Sequence, residues 1–125
     1  MSQQKTLNAR DIVNQAQVSH FTLGLQLRAA AYDENQGLNP RVFKRTDNCE
    51  LAALLRHLKA NDAMTDRAKQ VEMLHIDLHE AASAIASLIV AGQFDEAIAE
   101  LATGYYSDAA AALSKSLCYF KAEVA

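Results

Sequence analysis

Val71-Glu72-Met73-Leu74-His75-Ile76-Asp77-Leu78-His79-Glu80-Ala81-Ala82, continuing through Ile85 to Ile89, is the stretch that decides the fold. Val71, Leu74, Leu78, Ala82, Ile85 and Ile89 recur every three or four residues, the helical period. One long helix is therefore expected over 65–91, with Gly92 as its C-terminal stop. The same apolar stripe holds two histidines, His75 and His79. Residues four apart share one helix face at about 6 Å, so both imidazoles reach a single point.

Working outward, a first helix is expected over 7–32, with Val13, Ala16, His20, Leu23, Leu27 and Ala31 inward and Asn8 or Asp11 as its cap. Asp33-Glu34-Asn35-Gln36-Gly37 ends it, and Asn39-Pro40 opens a short helical turn through Phe43. A second helix is expected over 49–59, capped by Thr46, Asp47 or Asn48. The last is expected over 94–121, with Ile98, Leu101, Tyr105, Ala109, Ala112, Leu113, Leu117 and Phe120 inward. Gly104 interrupts it and weakens it by about 1 kcal/mol relative to Ala. Three long helices, one shorter helix and brief connections imply an all-α protein. The expected architecture is an antiparallel four-helix bundle with a short extra helical turn before the second helix, one domain over 1–125.

Composition agrees with that class. The chain has 125 residues, half of them hydrophobic, with only four glycines and one proline, too few for the turns of a sandwich or barrel. Twelve basic against fifteen acidic residues give a net charge of −3 without a basic cluster, so neither nucleic acid nor an anionic membrane is an expected partner. The apolar run over 81–92 is too short to span a bilayer, and residues 1–5 lack the features of a secretory signal. Cys49 and Cys118 suggest no disulfide framework. A cytoplasmic setting is expected.

His20, His75 and His79 sit where apolar residues belong, and Cys49 stands at a helix start, where the dipole favours a thiolate. Together they compose a three-His, one-Cys donor set that suits tetrahedral zinc and would tie three helices together. The other reading of each histidine is a hydrogen-bonded core residue, and periodicity alone does not separate the two.

The chain resembles the chemoreceptor zinc-binding (CZB) domain family. The likeness runs from about residue 8 to 120, through Val18-Ser19-His20-Phe21-Thr22-Leu23, Leu38-Asn39-Pro40, Arg45-Thr46-Asp47-Asn48-Cys49-Glu50-Leu51-Ala52-Ala53-Leu54-Leu55, His75-Ile76-Asp77-Leu78-His79 and Ala91-Gly92-Gln93-Phe94. Leu23 and Leu54 replace the family's two signature tryptophans, and Ala52 its glycine; the four ligand positions are kept. The resemblance implies zinc held by His20, Cys49, His75 and His79 in a regulatory, non-enzymatic sensor. It also implies that Cys49 is the labile ligand through which zinc level or an oxidant such as hypochlorous acid is sensed. A bacterial signalling output, chemotaxis or cyclic-di-GMP, would then be controlled from a homodimer, through an attached or separate chemoreceptor or diguanylate cyclase.

Other residues carry weaker expectations. Asp47 is either a cap or an orienting partner of a ligand, Asp77 and Glu80 turn away from the site, and His57 lies on the surface. Cys118 is expected as a packing thiol, and one of Tyr105 and Tyr106 as a core residue. A hemerythrin-like iron or oxygen carrier would need more inward histidines and carboxylates. A zinc hydrolase of the His-Glu-x-x-His kind would need Glu where Ile76 stands. A metal-free helical interaction domain is the remaining alternative.

Overall fold

A computed structural model describes residues 8–46 and 49–124. Six helices follow in order: α1 (Ala9–Tyr32), α2 (Pro40–Lys44), α3 (Glu50–Ala60), α4 (Asp66–Val90), α5 (Phe94–Thr103) and α6 (Tyr105–Val124), with no strand among the described residues. Local chemistry sets most of the ends. The Asn8 side chain accepts from the Asp11 amide at 2.8 Å, Asn39 from Arg41 at 3.1 Å ahead of Pro40, and Thr65 Oγ1 from Ala68 at 3.1 Å. After α4, Gly92 takes φ +80°, and the Gln93 amide donates back to Leu88 at 2.8 Å. Only glycine holds that left-handed turn without strain. The cap expected at Asp47 or Asn48, the orienting role of Asp47, and a first helix beginning at residue 7 lie outside the described residues.

The helices form a bundle around α4, which packs against each of the other five, while α1 lies against α3, α4, α5 and α6. Val13, Leu27, Leu51, Leu55, Val71, Leu78, Ile89, Leu113, Leu117 and Phe120 are buried at its centre. By length and composition α4 is also apolar enough to cross a membrane, a property the run over 81–92 alone does not show. Its apolar face is the one turned to the other helices.

The last helix departs from the sequence expectation. It breaks at Gly104, whose extended backbone (φ −95°, ψ −158°) separates α5 from α6. The Glu100 carboxylate crosses the break to accept from the Tyr105 amide at 3.0 Å, satisfying a donor at the new N-terminus. The break resets the helical phase. An unbroken helix would carry Leu101 on to Tyr105, whereas here Tyr106 turns inward in its place and Tyr105 and Ala112 stay exposed, while Ala109, Leu113, Leu117 and Phe120 are inward as expected. Cys118 is likewise on the surface instead of packed inside, where Gln17 donates to its sulfur at 3.3 Å.

Tyr106 lies over Gly24 of α1, so close that a β-carbon there would stand 3.1 Å from the phenol oxygen. That oxygen is buried with no hydrogen-bond partner among the described residues, and burial pushes the phenol pKa up to about 12. Urea denaturation checks the phase of α6. Tyr106→Ala is expected to cost roughly 3–5 kcal/mol and Tyr105→Ala less than about 0.5 kcal/mol. Tyr106→Phe, which removes an unsatisfied buried hydroxyl, is expected to be neutral or stabilising.

Candidate metal centre

Four side chains from three helices converge at one point inside the bundle. His20 comes from the inward stripe of α1, His75 and His79 from successive turns of α4, and Cys49 from the residue that caps α3. The three histidines are buried and Cys49 is half-buried. Their donor atoms all lie within 4.8 Å of one another. The Nε2 atoms form a near-equilateral triangle: His20 to His75 3.1 Å, His75 to His79 3.1 Å, and His20 to His79 3.2 Å. Cys49 Sγ lies beside its His20–His79 edge, 3.5 Å from His79 Nε2 and 3.9 Å from His20 Nε2. The three rings are close to mutually perpendicular, at 81°, 84° and 85°, which aims each nitrogen at a common centre.

The backbone fixes which nitrogen carries the proton. His20 Nδ1 lies 2.7 Å from the Ala16 carbonyl oxygen, and His79 Nδ1 lies 2.9 Å from that of Phe43. A carbonyl only accepts, so both rings must donate from Nδ1. A neutral ring that donates from Nδ1 presents a bare lone pair at Nε2. Two such lone pairs 3.2 Å apart repel unless a cation lies between them. The arrangement is that of a metal site whose ligand histidines are oriented through their outer nitrogens. It also gives the short α2 a task, since that turn brings the Phe43 carbonyl to His79.

Electrostatics keep the donors ready. Burial lowers the pKa of His20 to about 4, against the raising effect of the Ala16 hydrogen bond and with a smaller lowering by His79. Burial lowers that of His75 to about 3, with His20 and His79 adding to the effect. His79 is lowered by burial too, and its bond to Phe43 opposes the shift. At neutral pH all three rings are uncharged and able to ligate.

The structure thus gathers every residue expected as a ligand and leaves the doubtful ones outside. His57 is exposed at the end of α3 beside Asn61, whose side-chain amide donates to the His57 carbonyl at 2.8 Å; Glu80 is exposed and Asp77 half-buried. Among the described residues no carboxylate belongs to the donor group. Leu54 is buried, and Leu23 is half-buried against the core. The carbonyls of Ala16 and Phe43 were not among the expected participants. The i−4 spacing of Ala16 to His20 is a signal that could have suggested the first, whereas the second is a contact between distant segments. A cleft of about 240 Å³, lined by Gln15, Ser19, His20, Cys49 and Glu50 among others, opens beside the cysteine. Compared with known proteins, the chain matches no family model, no curated protein and no solved structure.

The metal-free chain should be acid-sensitive in a defined direction. His20 and His75 fold with pKa values near 4 and 3, below the 6.5 of an unfolded histidine, so the unfolded chain binds protons first. Stability is then full above pH 6.5 and falls as the pH drops toward about 4, by about 1.4 kcal/mol per pH unit for each such histidine. Denaturation midpoints of chelator-treated protein from pH 8 to pH 4 measure this slope, and His75→Gln should flatten it.

Proposed function

We propose that this chain is a zinc-binding regulatory domain of the CZB kind, an antiparallel four-helix bundle that reports zinc level or the oxidation of Cys49. The observation that carries the proposal is the convergence of His20, His75, His79 and Cys49 with the outer nitrogens of His20 and His79 committed to carbonyls. Tetrahedral zinc with bonds of about 2.0–2.1 Å to nitrogen and 2.3 Å to sulfur places nitrogens about 3.3 Å apart and sulfur about 3.6 Å from nitrogen. The triangle at 3.1–3.2 Å and the sulfur at 3.5 and 3.9 Å from His79 and His20 lie close to those separations, and the four donors together span no more than 4.8 Å, so a small shift of Cys49 toward His75 would complete the tetrahedron. A mixed imidazole and thiolate set suits zinc better than magnesium or calcium, and the absence of carboxylates from the group among the described residues disfavours a di-iron centre. Bound there, zinc supplies a cation that keeps Cys49 as a thiolate and offsets the crowding of the imidazole lone pairs.

Two inputs act on these residues. Zinc supply sets whether α1, α3 and α4 are joined through His20, Cys49 and the His75/His79 pair, and so shifts the population of bundle arrangements. An oxidant acts at Cys49, the half-buried member, which the cleft beside Gln15 and Glu50 makes reachable. With hypochlorous acid the thiolate sulfur gains an S–O bond as the O–Cl bond breaks and chloride leaves, a two-electron oxidation to sulfenic acid. A sulfenic acid is a poorer ligand, so the start of α3 is released from the histidines. The output is a bacterial chemoreceptor or diguanylate cyclase, attached or separate, controlled in the cytoplasm through a homodimer. Four protein ligands leave no open position for water, which supports a regulatory and not a catalytic site.

Elemental mass spectrometry on protein purified without tag or added metal tests the site. About one zinc per chain is expected, and no metal even after zinc is added back would overturn the proposal. Loss of a residue that merely orients a ligand weakens metal binding roughly 10–100-fold. Cys49→Ser should therefore weaken zinc binding by at least about 100-fold with helicity retained, while Cys118→Ser leaves it unchanged.

A further inference from the structure

His75 differs from the other two histidines in what its outer nitrogen meets. Nδ1 of His20 and Nδ1 of His79 are each held by a backbone carbonyl, that of Ala16 or of Phe43. His75 is only 2% exposed, and its hydrogen-bond contacts among the described residues all come from Nε2, 3.1 Å to His20 and 3.1 Å to His79. Its ring also lines a cleft of about 120 Å³ that none of the other three donors reaches, with Thr46, Arg56 and Glu72 among the remaining walls. An imidazole whose outer nitrogen is not fixed has two neutral forms. With its proton on Nε2, His75 donates to the bare Nε2 of His20 or His79 and cannot ligate. With its proton on Nδ1 it turns a third lone pair toward the common centre and needs an acceptor in the cleft. A buried N–H without an acceptor is costly, so whatever accepts from Nδ1 decides whether the site is ready for a metal.

We infer that Glu72 holds His75 in its ligating form, accepting from Nδ1–H through a water in this cleft. Among the described residues Glu72 is the only carboxylate that lines it. Glu72 stands three residues before His75 on α4, so the two side chains share a face with their β-carbons about 5–6 Å apart. They make no direct bond, and the cleft is several times the size that a bridging water needs. The half-buried carboxylate is already fixed in place, because Lys59 of α3 donates to its Oε2 at 2.7 Å, which leaves Oε1 to accept. Arg56 only donates, and the Thr46 hydroxyl carries no charge, so the carboxylate is the strongest acceptor there. Glu72 is thus a positioning residue that acts on the metal through His75. This role rests on the proposed zinc site, and it makes the Lys59–Glu72 ion pair between α3 and α4 a part of that site.

Two measurements on the full chain test the role of Glu72. One is zinc affinity by competition with a chromophoric chelator; the other is the tautomer of each ring in metal-free protein at neutral pH, by long-range proton–nitrogen correlation NMR. Glu72→Leu removes the acceptor and closes the cleft to water, and is expected to weaken zinc binding roughly 10–100-fold. It should also move His75 toward the Nε2–H form while His20 and His79 keep Nδ1–H. Glu72→Gln retains an acceptor oxygen and should lose less on both counts. Lys59→Met breaks the ion pair but keeps the carboxylate, and should leave zinc affinity within about twofold of wild type. If circular dichroism shows that the leucine variant does not fold, Glu72→Ala carries the same expectations. Wild-type zinc affinity or an unchanged His75 tautomer in Glu72→Leu would overturn the role of Glu72 and leave the zinc site standing. Lys59→Met as damaging as Glu72→Leu would overturn it too, because the carboxylate would then act only by joining α3 to α4. A wild-type chain that binds no zinc would overturn the proposed function and this role with it.

Discussion

Three imidazole nitrogens held within 3.2 Å of one another inside an apolar bundle are the constraint around which the remaining structure is arranged. Left to themselves, neutral rings whose outer nitrogens already donate to carbonyls would turn their lone pairs apart. They are kept together by the packing of their helices and, for His20 and His79, by a second anchor, the hydrogen bond to Ala16 or Phe43. Burying three imidazoles is costly, and a metal ion held between them would offset part of that cost and so couple metal binding to the stability of the fold.

That constraint reaches most of the fold. α4 supplies two of the four donors and packs against every other helix, so the site and the core share one scaffold. α1 supplies the third, and its position is set from the far side by Tyr106 lying over Gly24. α3 supplies the fourth from its capping residue, a position where a small displacement of the helix start moves the sulfur directly. α2, only five residues long, contributes a backbone carbonyl and a half-buried Phe43. A metal ion held at the centre, or a change at the Cys49 thiol, would therefore be felt by α1, α3 and α4 together.

The α5–α6 break shows how a small local feature redirects a larger element. Hydrophobic period alone permits one helix over 94–121 because Ile98, Leu101 and Tyr105 continue a single stripe. The extended conformation at Gly104, with the Glu100 carboxylate satisfying the Tyr105 amide, ends that stripe and begins another one residue out of phase. The penalty of a mid-helix glycine is small, about 1 kcal/mol, and does not reveal whether the helix bends through it or stops. That choice depends on α1 and α4, against which α6 has to bury Leu113, Leu117 and Phe120.

By itself the sequence determined the helical class, the inward stripes of α1 and α4, the cap at Asn39 and the stop at Gly92, all of which follow from period and local hydrogen bonding, while the choice of Asn8 over Asp11 as the first cap came from the structure. It also marked the candidate donors, His20, His75 and His79 as polar residues on apolar stripes and Cys49 at a helix start, without showing that they meet. Only the tertiary structure decided that His20 and Cys49 reach the His75/His79 pair, that Ala16 and Phe43 choose the tautomers, that Tyr106 and not Tyr105 enters the core, and that Cys118 stays outside. Each of those depends on the relative rotation of helices distant in sequence. Local energetics fix which face of a helix is apolar, but only packing against the other helices fixes which side chains from different faces meet.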